Sequence, residues 1–162
     1  PVIAALNGHC LAGGMTLMLA TDIRVAAEHA SFALSEVKRG IIAANGGTQR
    51  LPEQLPHAIA MEMLLTGDAI DAATALRFGL INRVVPAAQL MDAALDYARR
   101  IAANAPLAVQ AAKELALRGR EQGLAAGLRF EQFVQNILRH TADAAEGRAA
   151  FAEKRVPRFK GE

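Results

Sequence analysis

The chain has 162 residues, 52% of them apolar and 21% charged, which excludes a disordered segment and describes one well-packed globular chain long enough to bury a core. Eighteen Lys and Arg against 16 Asp and Glu leave a formal +2, too small an excess for a nucleic-acid footprint, and six Phe with one Tyr leave little for base stacking. No apolar run is long enough to cross a bilayer, because the longest uncharged stretch, residues 1–21, is broken by Asn7, Gly8, His9, Gly13 and Gly14. No basic segment precedes it, so no signal peptide is expected. Cys10 stands alone and cannot form an internal disulfide, which makes a reducing, cytoplasmic setting the default.

Residues 2–6 form a continuous apolar run ended by Asn7-Gly8, the pattern of a strand buried on both faces with a turn behind it. The chain starts in that run without a methionine and reads as the C-terminal part of something longer. Gly13-Gly14 opens the uncharged run 15–20, expected as a buried helix. Residues 23–26 and 31–34 look like further short strands, 40–47 like a loop, and 48–55 like a helix stopped near Pro56. A helix is expected over 57–66 with Gly67 at its end, and another over 72–78, N-capped by Asp71 and closed by Gly79. Residues 81–85 read as a strand ended by Pro86.

Beyond that strand the pattern is helical to residue 156. Residues 89–103 carry an Asp96–Arg100 pair four apart. Pro106 sits at a first-turn position, and Gly119 ends that helix. Phe130, Phe133, Val134, Ile137 and Leu138 form one apolar stripe, fit for a core or a subunit interface. A last helix covers about 143–155, Pro157 stops it, and residues 159–162 are expected as a solvated tail. There is no repeat or linker. The few buried-looking strands need neighbours, from upstream sequence or from another subunit.

Two places carry chemistry. Ala12-Gly13-Gly14 lies between a strand and a buried helix, where free backbone N–H groups accept negative charge and glycine lets a reacting carbonyl come close. Such donors would stabilise a thioester enolate. The same residues also suit a tight turn with close helix–strand packing. Glu36 follows an apolar stretch, and partial burial would suit it to proton transfer. From the residues alone it reads more readily as a surface glutamate beside Lys38 and Arg39.

Other patterns are missing or plain. His9, His29, His57 and His140 are scattered without metal spacing. Cys10 reads as a small buried filler. There is no Walker A sequence, no G-x-G-x-x-G and no G-x-S-x-G elbow. Gly46-Gly47-Thr48-Gln49-Arg50 reads as a flexible lead-in and cap for a helix.

Taken together these residues resemble the crotonase family, the enoyl-CoA hydratases and isomerases. Pro1-Val2-Ile3-Ala4-Ala5-Leu6-Asn7-Gly8, then Ala12-Gly13-Gly14 and Thr21-Asp22-Ile23, are similar to its central motif, and Gly46-Gly47-Thr48-Gln49-Arg50-Leu51 to the next. Leu65-Thr66-Gly67, Ile70, Ala72, Ala75, Gly79-Leu80-Ile81 and Val84-Val85 follow the third. Glu146-Gly147 and Ala150-Phe151-Ala152-Glu153-Lys154-Arg155 match the last helix. The resemblance covers nearly the whole chain in colinear order, and the ending with residues 50–63 particularly resembles the carnitinyl-CoA dehydratase branch.

The resemblance implies an α/β crotonase (ClpP-like) spiral, incomplete at its N-terminus. Residues 1–85 would be the C-terminal part of its α/β core and residues 86–162 a helical oligomerisation region. It implies an acyl-CoA thioester substrate and an enolate intermediate, with no metal or redox cofactor, CoA being part of the substrate. One oxyanion N–H maps to Gly13. The other, with most of the nucleotide pocket, belongs to an N-terminal portion this chain lacks, so the chain alone is expected to hold half an oxyanion hole.

Of the two glutamates of the family's hydratases, the second maps to Glu36 and the first to Thr16, which can hold a water but cannot act as a general base. Hydration then needs Glu36 for all the proton work; a double-bond isomerase needs only that one base. Phe151 and Lys154 match positions that reach the CoA of a neighbouring subunit, or belong to an ordinary amphipathic helix. Trimers, paired as hexamers, are implied; nucleic acid and membrane are not. The expectation is an enoyl-CoA hydratase or dehydratase, with a single-glutamate isomerase or a non-catalytic acyl-CoA-binding subunit as rivals.

Overall fold

The apolar run at 2–6 becomes β1 (Ile3–Leu6) in the computed structural model, which describes residues 1–162 and divides into two units, Val2–Tyr97 and Ala98–Glu162. The first unit holds all six strands: β1, β2 (His9–Leu11), β3 (Ile23–Ala27), β4 (Ser31–Ala33), β5 (Ile70–Asp71) and β6 (Arg83–Val85). They make two three-stranded sheets. One has the order β1-β3-β6 and is parallel throughout, with Ile3 opposite Ile23 and Val25 opposite Arg83. The other has the order β2-β4-β5, its first pair parallel and its second antiparallel. The α/β expectation holds. Strands β2 and β5 are additions, three and two residues long, too short to show periodicity in the sequence.

The helices of this unit follow the expected signals closely. They are α1 (Gly13–Leu19), α2 (Gly47–Gln54), α3 (His57–Thr66) and α4 (Ala72–Arg77), and the unit also takes in the first half of α5 (Leu90–Ala102). Asp71 caps α4, its Oδ1 accepting from the Thr74 N–H at 2.8 Å. The main core gathers Met15 and Leu19 of α1, Phe32 and Leu34 at β4, Leu51 of α2, Met63 of α3 and Leu80. A smaller cluster packs Val25, Ala27 and Val85 of the parallel sheet on Leu90, Ala93 and Ala94 of α5. No helix is long and apolar enough to cross a membrane.

One buried charge joins these layers. Arg24, on β3, is 7% exposed. Its Nη1 donates to Leu80 O at 2.9 Å, and its Nη2 to Thr21 O at 3.0 Å and Leu19 O at 3.2 Å. Its backbone N–H donates to Asn82 Oδ1 at 2.8 Å. Leu19 closes α1, where carbonyls have no partner within the helix, so the guanidinium acts as a side-chain cap delivered from a neighbouring strand. A lone arginine in an apolar strand gives no sequence signal of this role.

The second unit contains α6 (Pro106–Arg118), α7 (Leu124–Leu138) and α8 (Ala142–Glu153), and here one expectation is corrected. Residues 159–162 are not a solvated tail. Asp143, 4% exposed, accepts from the N–H groups of Lys160 at 2.7 Å and Gly161 at 2.8 Å, and donates its own N–H to Glu162 O at 2.9 Å. Phe159 lies against Gly147, where an added Cβ would sit 3.6 Å from the ring. Glu146 holds the chain just before: Arg155 forks onto both its oxygens at 2.6 and 2.8 Å, and the Arg158 N–H donates at 2.8 Å. The α7 stripe is not absorbed by the core of the chain, since Phe133 is 63% exposed and Ile137 55%.

Replacing Arg24 by Met keeps the volume and removes the guanidinium donors from the Leu80 and Thr21 carbonyls, while Leu19 O keeps only Gln54 Nε2 at 3.0 Å. A loss of about 3 kcal/mol in urea denaturation is expected, and an unchanged midpoint would refute the capping role. The Arg155 guanidinium and the Arg158 N–H hold the Glu146 carboxyl down at about 2 from an ordinary 4.5. A lowered value means the unfolded state binds the proton first. The clasp therefore contributes in full above about pH 4.5 and is lost as pH falls through about 2. Carbon-13 NMR of the Glu146 carboxyl should titrate near the lower value; a midpoint near 4.5 would mean the clasp is open in solution.

Candidate active site

The parallel pairing of β2 with β4 sets the site. His9 lies opposite Ser31, Cys10 opposite Phe32 and Leu11 opposite Ala33, and the Ala12 N–H extends the ladder by donating to Ala33 O at 2.9 Å. Parallel strands run out of a sheet at the same edge. Beyond that edge β2 turns into α1 at Gly13, and β4 turns into a single 3-10 turn, Ser35–Arg39, that the sequence reading did not anticipate. Gly13 and Glu36, two and three residues past the paired Leu11 and Ala33, therefore leave the sheet on the same side.

At the start of α1 the backbone is strained. Ala12 has φ 48° and ψ −120°, a region that glycine favours and alanine avoids. The first intrahelical bond is Thr16 N–H to Ala12 O at 2.9 Å, so the N–H groups of Gly13, Gly14 and Met15 precede the helical ladder. A Cβ added at Gly13 or Gly14 would meet nothing within 4 Å, and the space beside these donors is open. Ala12-Gly13-Gly14 forms the turn into α1, and no close helix–strand packing accounts for its two glycines.

Thr16 is buried, and its hydroxyl donates to Ala12 O at 3.2 Å. Its oxygen faces Gly47, where a Cβ would lie 3.3 Å from Thr16 Oγ1, 3.5 Å from Leu34 Cδ1 and only 2.8 Å from Ala43 Cβ. Only glycine fits at this junction of α1, the end of β4, the 40–47 segment and α2. The segment ahead of it is braced rather than a flexible lead-in. Asn45 and Gly46 both take positive φ, Arg50 Nη1 donates to Asn45 O at 3.0 Å, and the guanidinium fills the place of a Gly46 side chain. No side chain caps α2, against the expectation of a cap at its start.

Glu36 is half-buried, and its Oε2 is buried with no hydrogen-bond partner. Such an orphan costs about 1–3 kcal/mol and calls for a reason. The cations that made a surface reading plausible are engaged elsewhere. Lys38 Nζ lies 2.5 Å from Asp68 Oδ1, and Arg39 Nη1 donates to Ser35 Oγ at 3.2 Å. The Lys38 contact holds the Asp68 carboxyl below its ordinary range. The Lys38 stem and Ser35 Cα both lie 3.2 Å from a Cβ added at Gly67, so the 3-10 turn carrying Glu36 is seated on the end of α3. A contact between residues so far apart in the chain leaves no local pattern.

The remaining candidates separate cleanly. Cys10 is buried, and that burial pushes its thiol up to about 11, Arg24 opposing in part, which makes it the filler the sequence suggested. His9 pairs with Ser31 Oγ at 2.7 Å and His29 with Asn7 O at 2.9 Å. No group of three or more His, Cys, Asp or Glu side chains is placed to hold a metal ion. Phe151 is 88% exposed near the end of α8, and Lys154 closes that helix with φ 55°, its side chain also exposed. Ala12 belongs to the triplet the sequence singles out, but its strained backbone has no sequence signature.

The family described as enoyl-CoA hydratase/isomerase matches residues 1–162. The chain is 46% identical over 161 residues to an (E)-benzylidenesuccinyl-CoA hydratase from Thauera aromatica, and 47% identical over 166 residues to a carnitinyl-CoA dehydratase from Citrobacter koseri. These alignments take in 99% of the chain and 63% of each relative, so the chain spans less than two thirds of their length. Among solved structures it is similar to an enoyl-CoA hydratase from Mycobacterium tuberculosis H37Rv, with a TM-score of 0.97 at 43% identity, covering all of this chain and 64% of that one. With every residue matched by the family and relatives this similar along its whole length, the chain belongs to the enoyl-CoA hydratase/isomerase, or crotonase, family and has its α/β fold.

Proposed function

We propose that the protein carrying this chain adds water to, or removes it from, acyl-CoA thioesters through an oxyanion-stabilised enolate. The observation that carries this reading is the buried, unpartnered Oε2 of Glu36, which leaves the sheet at the edge where Gly13 offers a free N–H beside open space. The names of the relatives, a hydratase and a dehydratase, favour the same direction of chemistry.

In the hydration direction the Gly13 N–H donates to the thioester oxygen and draws charge onto it as the water oxygen bonds to C3. Glu36 takes the proton that water loses. The enolate collapses as Glu36 returns a proton to C2, so atoms and charge balance across the step. Thr16 accepts a hydrogen bond from the water, its own proton being given to Ala12 O. No metal or redox cofactor enters this scheme, and CoA comes as part of the substrate. A second reading, double-bond isomerisation with Glu36 moving one proton between C2 and C4, is favoured by a threonine where hydratases of the family carry a second glutamate.

Residues 86–162 are read as the oligomerisation region, building a homotrimer or a hexamer. Leu124, Leu128, Phe133 and Ile137 of α7 all stay exposed, which suits a subunit interface. Phe151 and Lys154 would meet the CoA of a neighbouring subunit, as an apolar wall and a point charge. The solitary Cys10 suits a reducing, cytoplasmic setting.

The test uses the complete protein with trans-2-enoyl-CoA thioesters in oxygen-18 water, read by mass spectrometry. Gain of one labelled water is expected, and Glu36→Gln should lower turnover about 10³-fold. Turnover that survives this change would refute Glu36 as the base. Turnover without label would establish the isomerase, and binding without turnover a non-catalytic subunit.

A further inference from the structure

A trans peptide is planar, so the C=O of one residue and the N–H of the next point in opposite directions. Whatever holds the Ala12 carbonyl therefore decides where the Gly13 N–H points. Ala12 O accepts two hydrogen bonds, and both come from Thr16: the backbone N–H at 2.9 Å and the hydroxyl at 3.2 Å. On its other side, the Ala12 N–H is pinned to Ala33 O at 2.9 Å. Between these anchors Ala12 is held at φ 48°. Without them this residue would relax toward negative φ, and Gly13, lacking a Cβ, would let the intervening peptide swing round.

A threonine hydroxyl bonded to the carbonyl four residues back is ordinary inside a helix. Here the acceptor belongs to the Ala12–Gly13 peptide, whose N–H is the first of those ahead of the helical ladder of α1. Thr16 is itself buried, and its Oγ1 lies where a Cβ at Gly47 would crowd it at 3.3 Å, so glycine there leaves the hydroxyl its place. We propose that Thr16 is a positioning residue whose hydroxyl, together with its own N–H, clamps the strained Ala12–Gly13 peptide and keeps the Gly13 N–H aimed at the thioester oxygen. This rests on the reading of Gly13 as an oxyanion donor. It gives Thr16 a task that needs neither a carboxylate nor an attacking water.

The experiment reads the carbonyl directly. Butanoyl-CoA labelled with carbon-13 at the thioester carbonyl has no double bond to hydrate, so its stretching band, seen by difference infrared spectroscopy on the complete protein, reports polarisation alone. Wild type should lower the band relative to free thioester. Thr16→Val, which keeps the shape and removes the donor, should lose at least half of that shift and about tenfold in kcat with KM little changed. Thr16→Ser should restore both. A Thr16→Val protein with the full wild-type shift overturns the clamp. If wild type itself shifts nothing, the oxyanion reading of Gly13 falls and the clamp with it. Should Thr16→Val fail to fold, Thr16→Ala removes the same donor and makes the same comparison.

Discussion

The parallel pairing of β2 with β4 is the constraint on which the rest of the site depends. Three residues on each side are enough, because the ladder is continued by the Ala12 N–H onto Ala33 O. That last bond falls where β2 must become helix and β4 must become the 3-10 turn. It joins the two exits before they diverge, so the donor at Gly13 and the carboxylate at Glu36 inherit their relation from backbone hydrogen bonds. A backbone-defined relation is stiffer than one built by long side chains, and on the proposed function that suits two groups acting on one carbonyl and its neighbouring carbons.

The structure carries its local costs at this same edge. Ala12 sits in a conformation alanine disfavours, Glu36 Oε2 is buried without a partner, and Gly47 tolerates no side chain. Each is unfavourable alone, and each persists because its surroundings are over-determined. Below Ala12 lie Met15, Met18 and Leu19 on the buried face of α1. The far end of α1 is fixed by Arg24, whose guanidinium takes the carbonyls of Leu19 and Thr21. A helix of seven residues is too short to be stable by itself, and here one end is capped from a strand while the other is tied to β4.

Much of this was legible in the sequence, for local reasons. Runs of apolar residues bounded by Asn7-Gly8, Gly67, Asp71, Pro86 and Pro106 located β1 and the four helices α3 to α6 within a few residues, because caps and breakers act within one turn of chain. Glu36 stands out because it follows an apolar run readable as a strand, and Gly13 because it opens an uncharged run readable as a buried helix. What the sequence hid is of longer range or of backbone origin. The Asp143 grip on Lys160 and Gly161 joins residues 17 and 18 apart, so residues 159–162 looked like free chain. Lys38 beside Glu36 suggested a solvated pair, yet it reaches Asp68, 30 positions away. The dihedral of Ala12 is set by what binds its N–H and its carbonyl, and no residue type announces it.

If Thr16 stands where hydratases of the family carry a carboxylate, as the proposed function has it, the direction of its hydrogen bond matters. A hydroxyl has one proton, and that of Thr16 is given to Ala12 O. Toward any further partner it can therefore only accept. On the proposed reading, a water between Thr16 and Glu36 must donate to both, because a carboxylate also only accepts. Both its protons are then engaged, and both its lone pairs face away from the protein groups, toward the carbon they would attack. A second carboxylate would hold the water in the same orientation and add charge. Threonine holds it without that charge, and leaves Glu36 the one group able to take the proton.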